Sequence, residues 1–323
     1  MGQTIFGITL GDPCGIGVEI TLKALHKRPE YQSRALLFGS RALLEHYAKE
    51  LGYSLSFNTI DSIGQFKADM INVYDPHPAR LEEIPIGKVC ALGGEIAFAS
   101  VVSAIEFALR GDISSVVTAP LNKEALHLAG HKYAGHTEIF GAYTKGSNYA
   151  MLLFSKQLKA IHVSTHVSLR KACDLCTKSR VLDVIRLGDR TMKKVGYAKA
   201  RIAVAGLNPH AGENGLFGDE ELNEIIPAIR QAQAEGILAE GPIPPDTVYL
   251  KAMQGRYDLV VAMYHDQGHI PLKMLSFDSG VNITVGLDVI RTSVDHGTAF
   301  DIAGKLIANE QSLIEAIEIG QRL

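Results

Sequence analysis

Short, β-branched apolar runs recur along this chain with room for a helix between most of them, and that alternation constrains its fold more than any other feature. Thr4–Leu10, Ala35–Phe38, Met70–Tyr74, Ser115–Thr118, Ala150–Phe154, Ala160–Ser164, Arg201–Ala205, Leu259–Met263 and Val281–Val285 have the length and residue types of strands. Most are apolar at successive rather than alternate positions, so both faces must be covered. Strand–helix–strand crossovers in a mainly parallel sheet do this. Between the runs, Ser40 to Gly52, Asn122 to Gly130 and Ser179 to Gly196 begin on N-cap residue types and end on glycine, as helices do. The Pro-rich Gly241–Pro245 reads as a rigid loop.

A chain of 323 residues exceeds the roughly 100–200 residues that one domain usually holds. The expected fold class is therefore α/β, as two α/β/α lobes with a cleft. Crossings are expected within Asn122–Lys145 and in the turn-rich region after Met274, giving one lobe of about 1–135 plus 275–323 and another of 136–274. With 46% hydrophobic and 21% charged residues, neither disorder nor a fibrous class fits. A net charge of -3 without blocks of like charge leaves no footprint for nucleic acid. No run approaches the ~18 uninterrupted apolar residues of a spanning helix, and no basic-then-apolar signal opens the chain, so no membrane and a cytoplasmic location are expected. Cys14, Cys90, Cys173 and Cys176 are too few for a disulfide framework. Cys173-x-x-Cys176 lacks a second pair and lies in the helical-looking Ser168–Lys178, where a structural or incidental role is expected.

The main chemical signal is a set of three histidines. Lys159–Thr165, Arg201–Leu207 and Asp258–Tyr264 are buried-strand patterns, and each is followed within three residues by a histidine: His166, His210 and His265. Ligands of open α/β sheets gather outside the carboxyl ends of strands, where side chains from different strands meet. One such histidine alone reads as a polar residue closing a strand. Three at equivalent positions suit a catalytic divalent cation with an open coordination position. The neighbouring Asn208-Pro209-His210-Ala211-Gly212-Glu213 and Tyr264-His265-Asp266-Gln267-Gly268 add carboxylates and amides able to orient imidazoles.

Other polar segments are more ambiguous. Gly11-Asp12-Pro13-Cys14-Gly15-Ile16-Gly17 follows the first strand and opens a helix, either as an anion loop or as a plain tight turn; it lacks the third glycine of the dinucleotide fingerprint. Gly135-His136-Thr137-Glu138 either cradles a phosphate or is a simple N-cap by Thr137 with Glu138 favoured by the helix dipole. The stretch from Lys273 to Gly304 is dense in polar groups beside a strand: Lys273, Asn282, Arg291, Asp295, His296, Gly297, Thr298 and Asp301. Arg291 suits a carboxylate or phosphate bidentately. Lys273 is a candidate acid or base, or a surface lysine.

These motifs together resemble the PdxA family, the 4-hydroxythreonine-4-phosphate dehydrogenases and their relatives. The resemblance spans essentially the whole chain and includes Gly280–Thr284 through Arg291–Gly297. The last part is also similar to the cofactor loop of isopropylmalate and isocitrate dehydrogenases, so the lobes are expected to share that fold and to bind NAD without a Rossmann fingerprint. The resemblance implies that His166, His210 and His265 hold one divalent cation per subunit (zinc, cobalt, manganese or magnesium), one of them supplied across a homodimer interface that carries the active site. It implies substrate contacts from His136, Thr137, Lys273, Asn282 and Arg291, and NAD along Asn282, Asp295, His296, Gly297, Thr298 and Asp301. Lys273 or Asp266 would handle protons.

Thr118-Ala119-Pro120-Leu121-Asn122-Lys123-Glu124 departs from the vitamin B6 pathway pattern toward the branch similar to D-threonate and D-erythronate 4-phosphate dehydrogenases. The expected reaction is NAD-dependent oxidation and decarboxylation of a 4-phosphorylated four-carbon hydroxy acid, with D-threonate 4-phosphate giving dihydroxyacetone phosphate and CO2. The alternatives are the 4-hydroxy-L-threonine 4-phosphate reaction of pyridoxal phosphate biosynthesis, a zinc-dependent aldolase or hydrolase, and a non-catalytic metabolite-binding protein.

Overall fold

The computed structural model describes residues 4–144, 148–275 and 280–323. It divides into two compact units, Met1–Ser147 with Leu287–Gln321, and Asn148–Gly286 with Arg322–Leu323. The divisions fall after Ser147 and after Gly286, where the sequence reading put them near Gly135 and Met274.

The first unit contains strands β1 (Phe6–Thr9), β2 (Ala35–Phe38), β3 (Phe57–Thr59), β4 (Ile71–Tyr74), β5 (Val116–Thr118) and, from the far end of the chain, β12 (Arg291–Val294). They lie in the order β3-β4-β2-β1-β5-β12, all parallel. Its helices are α1 (Gly17–Lys27), α2 (Arg41–Glu50), α3 (Ala91–Leu109), α4 (Lys123–Leu128), α5 (His136–Tyr143) and α11 (Gln311–Gly320). The capping predictions for two of them hold: Ser40 accepts from Leu43 N and Asn122 from Ala125 N. Leu36, Phe38, Val101, Ile105, Phe140 and Val289 anchor its apolar core, each full burial worth roughly 1.5–3 kcal/mol.

One helix bears on the membrane expectation. By length and composition α3 is a helix able to cross a membrane. Glu95 and Glu106 break its apolar runs in sequence, which is why a search for uninterrupted runs passes over it. In the fold its apolar residues Ile96, Val101, Ile105 and Phe107 are buried, and it packs on α4, α5 and strands β1, β2 and β5.

The second unit contains β6 (Ala150–Phe154), β7 (Lys159–His162), β8 (Ile202–Ala205), β9 (Ala239–Ile243), β10 (Leu259–Ala262) and β11 (Val281–Val285), in the order β11-β6-β7-β10-β8-β9. The hairpin side is antiparallel, and β7, β10, β8 and β9 are parallel. Helices α6 (Leu169–Leu175), α7 (Lys178–Lys194), α8 (Ile226–Ala234), α9 (Pro245–Met253) and α10 (His265–Leu275) complete it. Helix α7 buries Val181, Val184, Ile185, Gly188 and Met192 at helical spacing. Its N-cap is Thr177, which accepts from Arg180 N, rather than the expected Ser179; both are capping residue types, and the earlier one wins the backbone geometry. Gly241–Pro245 is not a loop either. It closes strand β9 and opens α9, with Pro245 at a first-turn position where a missing N–H costs nothing.

Candidate active site

The carboxyl ends of β7, β8 and β10 carry the loops with the three histidines. Arg180 of α7 fixes the end of β7, donating through Nε to the Val163 carbonyl at 2.9 Å and through Nη2 to the Tyr149 carbonyl at 2.8 Å. Beyond it, His166 and His265 approach with ring centroids 5.7 Å apart, beside a cavity of about 470 Å³ that both line with Tyr264 and Asp266. His265 Nδ1 donates to Asp266 Oδ1 at 2.6 Å. That bond fixes the tautomer and leaves Nε2 with its lone pair for a ligand. Asp266 thus orients the His265 imidazole. Lys273 is half-buried in the last turn of α10.

Two further imidazoles join this cluster. His269 stacks on His265 at 3.7 Å and 11°, with its Nδ1 donating to the His265 carbonyl at 3.0 Å. His162 lies 4.7 Å from His269, donates from Nδ1 to the Met151 carbonyl, and has an enclosed Nε2 without a partner. Burial holds the His162 pKa down at about 3, with the charges of neighbouring histidines adding to the shift. Both residues escaped the sequence reading. For His269 the signal was its position four residues after His265 on one helix face; His162 looks like any strand residue.

His210 does not complete the set. Among the described residues no group of three histidine, cysteine or acidic side chains is arranged to hold a metal ion. His210 is exposed, with its ring 6.2 Å from Phe217, in a run of left-handed backbone: His210, Ala211, Gly212, Glu213 and Asn214 have φ from 44° to 79°. Such a turn costs roughly 1–2 kcal/mol for each residue with a Cβ. Buried Glu221 offsets this by accepting from Leu207 N, Asn208 N and Asn208 Nδ2 at 2.7–2.9 Å, which clamps the entry to the loop.

In the first unit the predicted substrate residues converge on Arg291. This residue is 4% exposed, and its guanidinium lies 5.6 Å over the Phe140 ring. It donates to Thr118 Oγ1 at 3.2 and 3.3 Å and to Thr137 Oγ1 at 3.4 Å. Burial lowers its pKa to about 10, with Glu138 opposing the shift. His136, beside it, has an enclosed Nε2 without a partner, and burial together with the Arg291 charge keeps its imidazole neutral. Gly135 forms the N-cap of α5 without a side-chain cap bond, so Thr137 is not the simple N-cap of the alternative reading. In the second unit, Asn282 of β11 likewise has an enclosed, unpartnered Oδ1.

The predicted cofactor segment packs on the first glycine loop. Thr298 O accepts from Ile16 N at 3.1 Å, and a Cβ on Gly15 would meet that oxygen at 2.8 Å. Gly15 N and Cys14 N are already used by Asp12, so the Gly11–Gly17 loop is a packed turn rather than a free anion cradle. Asp295 N donates to Ser312 Oγ at 3.3 Å, and His296 Nε2 is enclosed without a partner. Gly297 and Asp301 are exposed.

Asp12 itself supplies a pH signature. The residue is 1% exposed with Oδ2 unpartnered, and burial, opposed by the bond from Cys14, raises its pKa to about 6. The folded state therefore holds this proton more tightly than the unfolded chain. Its contribution is fully present below about pH 4 and is lost as pH rises through about 6, a change of about 3 kcal/mol. Asp12→Asn is expected to flatten stability across that window in urea melts; parallel curves for both proteins would refute the assignment.

The family described as "Pyridoxal phosphate biosynthetic protein PdxA" matches residues 31–320. The chain belongs to the PdxA family. Among curated relatives, a D-threonate 4-phosphate dehydrogenase of Salmonella typhimurium is 51% identical, over 98% of each chain. One of Pectobacterium atrosepticum is 45% identical, over 99% of each. A crystal structure of 4-hydroxythreonine-4-phosphate dehydrogenase from Klebsiella pneumoniae superposes with a TM-score of 0.87 at 45% identity, covering 99% of this chain and 98% of that one. An isocitrate dehydrogenase of Methylococcus capsulatus shares the fold alone, with a TM-score of 0.50 at 14% identity over 97% and 84%.

This PdxA chain is accordingly a dehydrogenase, an oxidoreductase of α/β fold with the isocitrate dehydrogenase-like architecture expected from its sequence. Thr118 is a further residue without a role in the sequence analysis: it sits in the departing motif and accepts two bonds from Arg291.

Proposed function

We propose that this chain oxidises and decarboxylates D-threonate 4-phosphate with NAD, giving dihydroxyacetone phosphate and CO2, as a homodimer whose active site uses both subunits. The observation that carries the reading is the buried Arg291 guanidinium, set between two threonine hydroxyls and beside the enclosed, neutral His136, an arrangement suited to a phosphate. Whole-length identity to D-threonate 4-phosphate dehydrogenases supports the choice of acid.

His166 and His265 would hold the divalent cation, with His210 of the partner subunit as the third ligand; the oriented Nε2 of His265 fits that duty. When bound, the cation acidifies the substrate's third-carbon hydroxyl and later stabilises the charge left as CO2 departs, while NAD takes the hydride. Arg291, Thr137 and His136 bind the phosphate remote from the reacting carbons, and that binding holds the third carbon in place. Asn282 offers its enclosed amide oxygen to a substrate or cofactor hydroxyl, and Asp295, His296, Gly297, Thr298 and Asp301 line the path for NAD. Lys273 returns a proton to the second carbon after CO2 leaves.

Asp266→Ala is expected to weaken metal affinity about 10–100-fold, because His265 loses the carboxylate that fixes its tautomer. Competition with a chromophoric chelator measures this, and unchanged affinity would remove His265 from the ligand set. For the reaction, chelator-treated protein should form no NADH until a divalent cation is returned, and dihydroxyacetone phosphate should then appear in step with NADH. NADH without CO2 release would refute the decarboxylation.

A further inference from the structure

A second polar cavity lies in the second unit at the amino ends of β7 and β10, the end of these strands away from His166 and His265. It has a volume of about 390 Å³ and is lined by Lys156 and Lys159 with Leu158, Met253, Tyr257 and Asp258. Lys159, the first residue of β7, is 8% exposed. Its ammonium lies 4.9 Å over the Phe154 ring and 5.3 Å over the Tyr197 ring. Among the described residues it has neither a hydrogen-bond acceptor nor a carboxylate at ion-pair distance. An ammonium carries three donors, and two ring faces satisfy none of them as an oxygen does. The apolar stem is buried while the ammonium, which is not among the enclosed unpartnered atoms, reaches the cavity.

The neighbouring polar groups make their hydrogen bonds elsewhere, and Asp258 feels the Lys159 charge only at a distance, after that of Arg201. Asp258 takes a two-pronged bond from Arg201, at 2.9 and 3.0 Å, and a third from Arg201 N at 2.8 Å. Tyr257 donates its hydroxyl to Glu240 at 2.8 Å. With Asp258 neutralised, Lys156 and Lys159 leave the cavity net positive, while Leu158, Ala252 and Met253 give it an apolar wall.

We infer that this cavity is a binding site for a small organic anion, a carboxylate or phosphate that pairs with Lys159 while its carbon skeleton lies against Met253. The site stands apart from the proposed dehydrogenase chemistry and does not depend on it.

The test uses the full chain with 13C-methyl methionine, the Met253 signal being assigned through Met253→Leu. Butyrate and inorganic phosphate are titrated, with chloride at matched ionic strength as control. The expected result is a saturable shift of the Met253 methyl with one or both anions and none with chloride; the anion that acts identifies the head group. Lys159→Met should weaken that binding about tenfold or more, as loss of a charged hydrogen bond does. Lys156→Glu, at an exposed position, should weaken it too and serves if the buried substitution prevents folding. Absence of a saturable shift with either anion, or an undiminished shift in the variants, would overturn the proposal.

Discussion

Arg291→Met is expected to lower kcat/KM for D-threonate 4-phosphate by roughly 10²–10³-fold, since it leaves a buried anion without its cation. Arg291→Lys should recover little of this. A lysine ammonium gathers its three donors on one nitrogen at the end of a flexible stem and does not reproduce the fixed planar fork that reaches Thr118 Oγ1 and Thr137 Oγ1. The control is the substrate lacking its phosphate, whose slow turnover should be nearly indifferent to the substitution. Equal losses with both substrates would mean that Arg291 supports the fold or the chemistry rather than the phosphate.

The second large effect is on stability. Gly94 lies inside α3, where a Cβ would stand 2.0 Å from the Ala125 carbonyl oxygen and 2.3 Å from its carbon, in α4. Alanine is the better helix former by about 1 kcal/mol. Against this, overpacking costs typically 1–3 kcal/mol and more where, as here, the obstacle is backbone. Gly94→Ala should therefore destabilise by about 2 kcal/mol or more, seen as a lower urea midpoint. Gly64→Ala, whose added Cβ meets only Ser62 Oγ at 4.0 Å, should be nearly neutral. A Gly94→Ala protein as stable as the parent would mean that α3 and α4 can separate at no cost.

The strands that sequence reasoning found are those with continuous apolar runs, and the ones it missed share a physical cause. Strands β3 and β9 are the outer members of their strand orders; Phe57–Thr59 is only partly buried, and Ala239–Ile243 contains a proline that an edge position tolerates. Strand β12 is buried but polar, Arg-Thr-Ser-Val, and its pattern reads as a binding segment because Arg291 and Thr292 find partners only in the fold. The strand-end positions of His166, His210 and His265 were likewise legible. That His210 stands apart from His166 and His265 was not, because the left-handed run from His210 to Asn214 depends on Glu221, which follows in the chain and is buried under the loop. The orphaned Nε2 of His136 and of His296, and the stacking of His269 on His265, arise from packing that no residue pattern encodes.

The most direct test of the proposed function follows NAD reduction by the purified, cation-loaded protein with D-threonate 4-phosphate, D-erythronate 4-phosphate and 4-hydroxy-L-threonine 4-phosphate in parallel. Highest kcat/KM with D-threonate 4-phosphate, abolished by a chelator, is the predicted result. A preference for the amine-bearing 4-hydroxy-L-threonine 4-phosphate, or NAD reduction that persists without a divalent cation, would contradict it.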